Sequence, residues 1–235
     1  WCGKKNGRRC KMKMKALLPM KGNSERVANK NMRSFNGAPL YHAITKSLLA
    51  SKYITHIIIN TDSEIIKKDA KDNFGDSIIL IDRPSEIQGD YVSMNDILKY
   101  DLDQIDDQHF LQTHSTNPLL KTETIDNAIE TYFKGLEVFD SIFGVTKFQT
   151  RFYDKNAKPI NHNPEELLRT QDLEPFYEEN SNFYIFSKES FEKSGQKRIG
   201  LKAKISEVNK LEAVDIDDME DFKLAELLHI HKNNL

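Results

Sequence analysis

The chain has 235 residues, of which 34 are Lys or Arg and 36 are Asp or Glu, so its formal net charge is -2. This balance excludes a general binder of nucleic-acid backbones, which would need an excess of basic residues. No apolar run reaches the ~18 to 20 residues that cross a membrane, and no signal-peptide apolar segment follows the basic N-terminus. The length, with 38% hydrophobic residues, predicts one large globular α/β domain or two small domains.

The first eleven residues differ in composition from the rest of the chain. Residues 1–11 are basic, lack apolar periodicity and contain both cysteines, Cys2 and Cys10. We interpret them as a leader or expression-derived segment and expect one folded domain over residues 12–235. The lack of cysteine in that domain excludes a disulfide scaffold and a cysteine nucleophile, and it agrees with the cytoplasmic location that we expect.

Short apolar runs alternate with segments of helical periodicity along this domain. The predicted strands are residues 15–18, 56–59, 77–81, 110–112, 141–146, 183–186 and 203–205. The predicted helices are residues 39–51, 64–74, 93–102, 122–133 and 218–232, with Ser63 as the N-cap of the second. Such alternation is typical of βαβ units, so we expect a Rossmann-like, mostly parallel sheet with flanking helices.

The alternation breaks between residues 147 and 182. This segment is charged, contains Asn and Pro, and carries aromatic residues at intervals, namely Phe148, Phe152, Tyr153, Phe176 and Tyr177. Structureless loops of this length are uncommon in compact domains. The segment is therefore predicted to be a long ordered arm or a substrate lid.

A basic loop follows the first predicted strand. It contains the small residues Gly22 and Ser24, and its cations include Lys21, Arg26, Lys30 and Arg33. Small residues let backbone N–H groups approach phosphate oxygens while the cations neutralise charge, so one interpretation is a polyphosphate site. The loop has neither Walker A spacing nor a Gly-x-Gly-x-x-Gly motif, and a solvated basic loop is the alternative.

A second candidate site lies near the C-terminus. Asp215 and Asp217 flank Ile216, and in a strand this alternation would place both carboxylates on one face. Two such carboxylates could share Mg²⁺, which prefers hard oxygen ligands. The alternative is that Asp217 or Asp218 caps the last helix.

The basic loop resembles the nucleotide-binding signature of the acylneuraminate cytidylyltransferases, the CMP-sialic acid synthetase family. The resemblance rests on Pro-Met-Lys-Gly-Asn-Ser-Glu-Arg at residues 19–26 and Lys-Asn-Met-Arg at residues 30–33. Five later segments resemble the same family in the same order, at residues 59–64, 83–86, 111–119, 169–180 and 214–222. The resemblance therefore covers nearly all of residues 14–230.

The resemblance implies a fold, an activity and a cofactor. The fold would be the nucleotide-diphospho-sugar transferase type, and the arm at about 147–182 would serve dimerisation and acceptor closure in a homodimer. The activity would be transfer of CMP from CTP to a 2-keto-3-deoxy acidic sugar, with release of pyrophosphate. Sialic, legionaminic, pseudaminic or a related acid would be the acceptor, for surface glycan assembly, and Mg²⁺ would be the cofactor.

The resemblance also implies site residues. The residues expected to contact the nucleotide are Leu18, Lys21, Ser24, Arg26, Lys30, Asn31 and Arg83. Of these, Asn31 and Arg83 would recognise the cytidine. Expected at the sugar are Gln112, Arg169, Gln171, Asn180 and Tyr184, with Arg169 on the acceptor carboxylate. Asp215 and Asp217 would hold Mg²⁺, Lys21 and Asp217 would be catalytic, and capping of the last helix would fall to Asp218.

The sequence departs from the family pattern in several places. Lys21 stands where many members carry Arg, and Asn-Ser-Asn at residues 180–182 replaces Asn-Gly-Ala. The segment at 112–119 is one residue longer than usual and lacks an Arg after its final Leu. All but the first departure lie around the acceptor site, so the pattern predicts CTP more specifically than it predicts the sugar.

Three other functions fit the sequence less well. A nucleotidyltransferase using a sugar phosphate and another nucleotide would need a phosphate clamp in the arm, where basic clusters are few. A catalytically idle nucleotide-sugar binding protein is disfavoured because both Asp215 and Asp217 are present. An NAD-type oxidoreductase lacks its glycine fingerprint.

Overall fold

The computed structural model describes residues 12–24 and 26–231, so the segment interpreted as a leader, residues 1–11, lies outside the described residues. The strands are β1 (Met14–Leu17), β2 (Ser34–Phe35), β3 (Ala38–Pro39), β4 (Ile54–Thr61), β5 (Ile78–Asp82), β6 (His109–Gln112), β7 (Ser141–Phe148), β8 (Phe176–Ser187) and β9 (Ala203–Glu207). The helices are α1 (Tyr41–Leu49), α2 (Glu64–Phe74), α3 (Met94–Gln104), α4 (Thr122–Lys134), α5 (Lys188–Lys193) and α6 (Met219–Ile230). None of the described helices is long and apolar enough to span a bilayer.

Seven strands form one sheet in the order β5-β4-β1-β6-β8-β7-β9, and β2 pairs with β3 in a separate hairpin. Strand β8 is antiparallel to both of its neighbours, and the other pairs in the large sheet are parallel. The prediction of a Rossmann-like, mostly parallel sheet is therefore confirmed. The chain adds β4 and β5 on one side of β1 and then adds β6 on the other. Ligands of such sheets bind where the strand order reverses, at the carboxyl ends of the strands.

Alternating side chains of the central strands pack into two layers. Ala16 of β1 and Ile57 of β4 belong to the core that includes side chains of α1, α2 and α4. Leu17 and Ile58, the next residues along these strands, belong to the core that includes side chains of α3 and α5. Because successive side chains of a strand point to opposite faces, the helices cover both faces of the sheet.

The structure differs from the prediction mainly between β7 and β9. Strand β8 begins at Phe176 rather than at residue 183, and β7 continues to Phe148, because residues 145–148 pair with residues 176–179. The irregular segment is therefore residues 149–175, shorter at both ends than the predicted arm. The short elements α5, β2 and β3 were not predicted.

Candidate active site at the strand-order reversal

A cavity of about 250 Å³ opens beyond the carboxyl ends of β1 and β6. Its walls come from the loop after β1, the segment between β5 and α3, and the loop after β6. Five predicted nucleotide-binding residues line it, namely Lys21, Ser24, Lys30, Asn31 and Arg83. Leu18, also predicted there, is instead fully buried in the core, and its N–H donates to the Ile58 carbonyl at 2.8 Å.

The loop after β1 is fastened to the neighbouring strand through its main chain. The Met20 N–H donates to the Asn60 carbonyl at 2.9 Å, and the Gly22 N–H donates to Asp62 Oδ1 at 2.7 Å. A side chain at Gly22 would not fit, because its Cβ would lie 2.9 Å from the Cβ of Ser63. These two N–H groups are therefore already engaged in hydrogen bonds within the chain.

Asn31 joins the two loops that border the cavity. Its Nδ2 donates to the Lys21 carbonyl at 2.8 Å, and its Oδ1 accepts from Ser115 Oγ at 2.6 Å. The ammonium group of Lys21 is partly exposed and pairs with Asp90 across the cavity mouth. The structure thus brings Asn31 and Lys21 together, with Asn31 acting on the backbone of the loop.

Arg83 is 7% exposed and is fixed in the cavity wall by Asn60. Its Nε donates to Asn60 Oδ1 at 2.7 Å, and its Nη2 donates to the Asn60 carbonyl at 2.9 Å. The amide of Asn60 in turn donates to Asp101 Oδ1 at 2.5 Å. Burial lowers the pKa of the Arg83 guanidinium, and the charges of Asp62 and Asp101 oppose this effect.

Asp215 and Asp217 lie beside this cavity, in a segment that is not a strand. Residues 214–217 have no regular secondary structure, and the Ile216 N–H donates to the Thr116 carbonyl at 3.0 Å. Ile216 is buried, Asp215 is half-buried and Asp217 is exposed. Lys30 anchors the segment, since its ammonium donates to the Ile216 carbonyl at 2.6 Å.

The charges around these two aspartates are mixed. Burial raises the pKa of Asp215, and the nearby Asp217 raises it further, whereas Thr116 and Lys30 act in the opposite direction. Asp217 also pairs with Arg26 at 2.7 Å, with both side chains exposed. The two acids thus lie close enough to interact and are bordered by cations.

The donor set fits Mg²⁺ better than a transition metal. In the described ranges no group of three or more His, Cys, Asp or Glu residues could hold a metal ion. Mg²⁺ is usually bound through one or two carboxylates, with waters and substrate phosphates completing its ligands. Two carboxylates beside a basic cavity satisfy that requirement.

Asp218 caps α6, as predicted. Its carboxylate accepts from the N–H groups of Glu220 at 2.8 Å and Asp221 at 3.0 Å. The Asp221 carboxylate accepts in return from the N–H groups of Asp218 and Asp217, which completes a capping box. The backbone N–H of Asp217 thus belongs to the cap, whereas its carboxylate takes no part in the cap and pairs with Arg26.

Three of the predicted acceptor residues lie together on β6 and β8. Gln112 and Tyr184 are register partners and are fully buried. Asn180 lies on β8 four residues before Tyr184; its Nδ2 donates to Thr146 Oγ1 at 3.1 Å, and its Oδ1 accepts from the Asn182 N–H at 3.2 Å. Both polar atoms of the Asn180 side chain therefore form hydrogen bonds with residues of the sheet.

The other two predicted acceptor residues lie on the exposed surface of the arm. Arg169 forms a bidentate pair with Asp172, at 2.8 and 3.1 Å. The Gln171 carbonyl accepts from Gln149 Nε2 at 2.8 Å. Within this one chain, Arg169 and Gln171 thus make hydrogen bonds inside the arm, and none of these bonds involves Gln112, Asn180 or Tyr184.

Sequence reasoning missed Arg198, which lies between α5 and β9. Its Nη1 donates to Gln112 Oε1 at 2.7 Å, and its guanidinium stacks on the Tyr184 ring at 3.6 Å from the centroid. The polar segment around residue 198 has no periodicity that would single out this arginine. His114, one residue of the lengthened 112–119 segment, lines the cavity and also contacts Arg198.

Comparison with known sequences agrees with this geometry. A sequence model of the cytidylyltransferase family matches residues 15–234. The chain is 28% identical over 189 residues to the N-acylneuraminate cytidylyltransferase of Streptococcus agalactiae serotype III, covering 77% of this chain and 45% of that protein. It is 25% identical over 185 residues to the pseudaminic acid cytidylyltransferase of Campylobacter jejuni serotype O:2, covering 74% of this chain and 78% of that protein. The chain thus spans less than half the length of the streptococcal relative.

Solved structures share the fold. A CMP:2-keto-3-deoxy-manno-octonic acid synthetase in complex with CTP superposes with a TM-score of 0.68 at 9% identity, covering 94% of this chain and 99% of that chain. The 4-diphosphocytidyl-2C-methyl-D-erythritol synthase of Anaerococcus prevotii gives 0.64 at 14% identity, covering 93% and 97%. The sheet order, the basic cavity where that order reverses and the match over residues 15–234 lead to one conclusion: the chain belongs to the cytidylyltransferase family.

Proposed function

We propose that the protein transfers CMP from CTP to a 2-keto-3-deoxy acidic sugar and releases pyrophosphate. One observation carries the proposal: the cavity at the strand-order reversal gathers Lys21, Lys30 and Arg83 in its walls, with Asp215 and Asp217 beside it. Cations and paired carboxylates are what a nucleoside triphosphate and its metal require. The sialic and pseudaminic acid specificities of the named relatives support an acidic sugar as the acceptor.

In this reaction a hydroxyl oxygen of the sugar attacks the α-phosphorus of CTP. The bond from that phosphorus to the oxygen that bridges it to the β-phosphorus breaks, pyrophosphate leaves with the bonding electrons, and the hydroxyl proton is released to solvent. Such chemistry depends on positioning and charge neutralisation rather than on a covalent enzyme intermediate. Lys21 and Arg26 would hold the triphosphate, Ser24 would add a hydrogen bond, and Arg83 would recognise the cytidine.

Lys30 and Asn31 have a positioning role in this proposal. Lys30 holds the Asp215–Asp217 segment through the Ile216 carbonyl, and Asn31 holds the Lys21 carbonyl. When bound, Mg²⁺ would supply positive charge at the phosphates. Asp215 and Asp217 would hold it, and Arg26 would exchange its pairing with Asp217 for pairing with phosphate.

We propose further that two copies of the chain associate through the arm. Apolar side chains of the arm are exposed, with Leu167 at 89%, Ile160 at 54% and Tyr153 at 53%. Exposed apolar groups of this kind are usual at protein interfaces. In a dimer, Arg169 and Gln171 of one copy would be placed to close the acceptor site of the other.

Thermal shift and pyrophosphate release test the proposal. With Mg²⁺ present, CTP should raise the melting temperature more than UTP, GTP or ATP, because a bound ligand stabilises the folded state. Pyrophosphate should be released from CTP with at least one of N-acetylneuraminic, legionaminic, pseudaminic or 2-keto-3-deoxy-manno-octonic acid.

A pair of lysine variants sharpens this experiment. Lys21→Ala should reduce the CTP-induced shift, whereas Lys46→Ala, which removes an exposed lysine of α1, should leave it unchanged. A larger shift with UTP or GTP, together with turnover of sugar phosphates alone, would reject the proposal in favour of a sugar-phosphate nucleotidyltransferase. Binding of CTP without turnover of any acceptor would indicate an idle binding protein.

A further inference from the structure

Arg198 places a positive charge among mostly uncharged side chains. Its side chain is 19% exposed. Its guanidinium stacks on the Tyr184 ring at 3.6 Å, and Nη1 donates to Gln112 Oε1 at 2.7 Å and lies 3.3 Å from His114 Nε2. These contacts hold the guanidinium group rigidly between β6 and β8.

The groups that face Arg198 are largely neutral. Burial raises the pKa of the Tyr184 hydroxyl to about 12. Burial and the charge of Arg198 lower the pKa of His114 to about 3, so the imidazole is neutral near pH 7. Within the described part of the chain, the carboxylate near Arg198 is that of Glu179, which lies 3.9 Å from the guanidinium. The same carboxylate accepts a hydrogen bond from the Tyr184 hydroxyl.

Charge balance therefore favours an anion at this position. A buried cation is ordinarily paired with a carboxylate at hydrogen-bond distance, because removing a charge from water is unfavourable. Among the described residues, the carboxylate nearest to this guanidinium is that of Glu179, which is partly exposed and lies at 3.9 Å, beyond hydrogen-bond distance. The hydrogen bonds of Arg198 in the described ranges come from Nη1, so its Nε and Nη2 retain donors that match a carboxylate in bidentate geometry.

The position of Arg198 also suits an acceptor. His114 lines the nucleotide cavity and contacts Arg198 through Nε2, so a ligand on the guanidinium would be adjacent to that cavity. The alternative, Arg169, already has its donors on Asp172 at the surface. Within one chain, Arg198 is thus the arginine that joins the predicted acceptor residues Gln112 and Tyr184.

We propose that Arg198 binds the carboxylate of the acidic acceptor and thereby determines which sugars the enzyme accepts. Gln112 and Tyr184 orient the guanidinium for this contact. The proposal rests on the proposed function, because it concerns the acceptor of the same reaction.

The test compares Arg198→Gln with the wild-type protein. The acceptor is the acidic sugar that the wild type uses best in the panel above, and its analogue is the same sugar with the carboxylate converted to a carboxamide. Arg198→Gln should raise the acceptor KM on the order of ten- to a hundredfold, the value of a lost charge-assisted hydrogen bond. The KM for CTP should change little, and the variant should no longer discriminate between acid and amide.

Two further variants complete the design. Lys197→Gln removes an exposed cation next to Arg198 and should leave both KM values unchanged. Arg198→Lys keeps the charge but loses the planar fork, so it should recover part of the preference for acid over amide. Melting temperatures verify that each variant folds; if Arg198→Gln does not fold, the Arg198→Lys comparison decides.

The outcomes separate the two proposals. A wild type that uses acid and amide equally well, or a folded Arg198→Gln that keeps its acceptor KM and its preference for the acid, would overturn the role of Arg198 and leave the proposed function intact. A wild type that releases no pyrophosphate with any acidic sugar would reject the proposed function and this inference together.

Discussion

Asp101 should make the stability of the protein depend on pH. It lies on α3 with no exposed surface; its Oδ1 accepts from Asn60 Nδ2 at 2.5 Å, and its Oδ2 has no hydrogen-bond partner in the described chain. Burial raises the pKa of this carboxyl from 3.8 to about 7, while the Asn60 hydrogen bond and the charge of Arg83 act in the opposite direction. The folded protein therefore keeps Asp101 protonated at pH values where the unfolded chain has lost that proton.

The magnitude follows from the size of the shift. The pKa of Asp101 rises by roughly three units, and each pKa unit corresponds to about 1.4 kcal/mol. The effect on the free energy of unfolding is therefore at most about 4 kcal/mol. Because the folded state binds more protons than the unfolded state between about pH 4 and pH 7, the contribution of Asp101 to stability decreases through that range and is constant above it. Asp101→Asn cannot ionise and preserves the acceptor for Asn60. The variant should therefore match the wild type near pH 4 and exceed it by up to about 4 kcal/mol at pH 8.

Urea unfolding of both proteins at intervals from pH 4.5 to 8.5 measures this difference. Asp103→Asn removes a charge from the exposed side of the same helix and is the control. Its effect should stay within about 0.5 kcal/mol, as for most surface substitutions. A difference between Asp101→Asn and wild type that is flat across the pH range would refute the reasoning, as would a variant less stable than wild type at pH 8.

Three other predictions concern the metal site, a helix cap and the arm. Asp217→Asn should lower kcat on the order of a hundredfold, because the proposed metal ligand loses its charge. Asp218→Asn should leave kcat within a fewfold of wild type, because Asn caps a helix about as well as Asp. Ser63→Ala should lower the free energy of unfolding by about 1 kcal/mol in urea, because the Ser63 hydroxyl accepts from the Ile66 N–H at the start of α2. Sedimentation should give a dimer of 27.2 kDa chains, and Leu167→Asp should shift the protein towards monomer.

Each of these predictions has a clear contrary result. Equal losses of kcat in the Asp217 and Asp218 variants would indicate that the cap, rather than a metal, explains both. An unchanged urea midpoint for Ser63→Ala would show that the first turn of α2 needs no side-chain cap. If the wild-type protein is a monomer at micromolar concentration, the arm of one copy does not close the acceptor site of another.

Sequence reasoning located the central strands because their signal is strong. Strand β4 contains a continuous run of buried isoleucines at residues 57–59 between polar residues, and Ser63 gives α2 an evident start. Strand β8 was predicted too short, since its first third, Phe176–Glu179, is exposed, contains two glutamates and is held by pairing with β7. The two-residue strands β2 and β3 and the six-residue helix α5 are too short for periodicity to identify.

The site was predicted unevenly for a related reason. Lys21, Ser24, Lys30 and Asn31 could be grouped from the sequence because they stand in one loop after β1, and the structure places them around one cavity. Arg198 and Asp101 act through partners that are 86 and 41 residues away in sequence, which no local pattern reveals. Asp215 and Asp217 flank the buried Ile216 as they would in a strand, but residues 214–217 form no strand. Alternation of exposed and buried side chains does not by itself distinguish a strand from other extended backbone.

The hydrogen bonds that fix the loop after β1 bear on how nucleotide binding depends on salt. The N–H groups of Met20 and Gly22 donate hydrogen bonds to Asn60 and Asp62. Under the proposed function, the triphosphate is therefore held largely by the side chains of Lys21 and Arg26. These charges are solvent-accessible, and dissolved ions screen such charges over about 8 Å at physiological ionic strength. Nucleotide occupancy would then follow the salt content of the surroundings, falling as ions accumulate even when the nucleotide concentration stays the same.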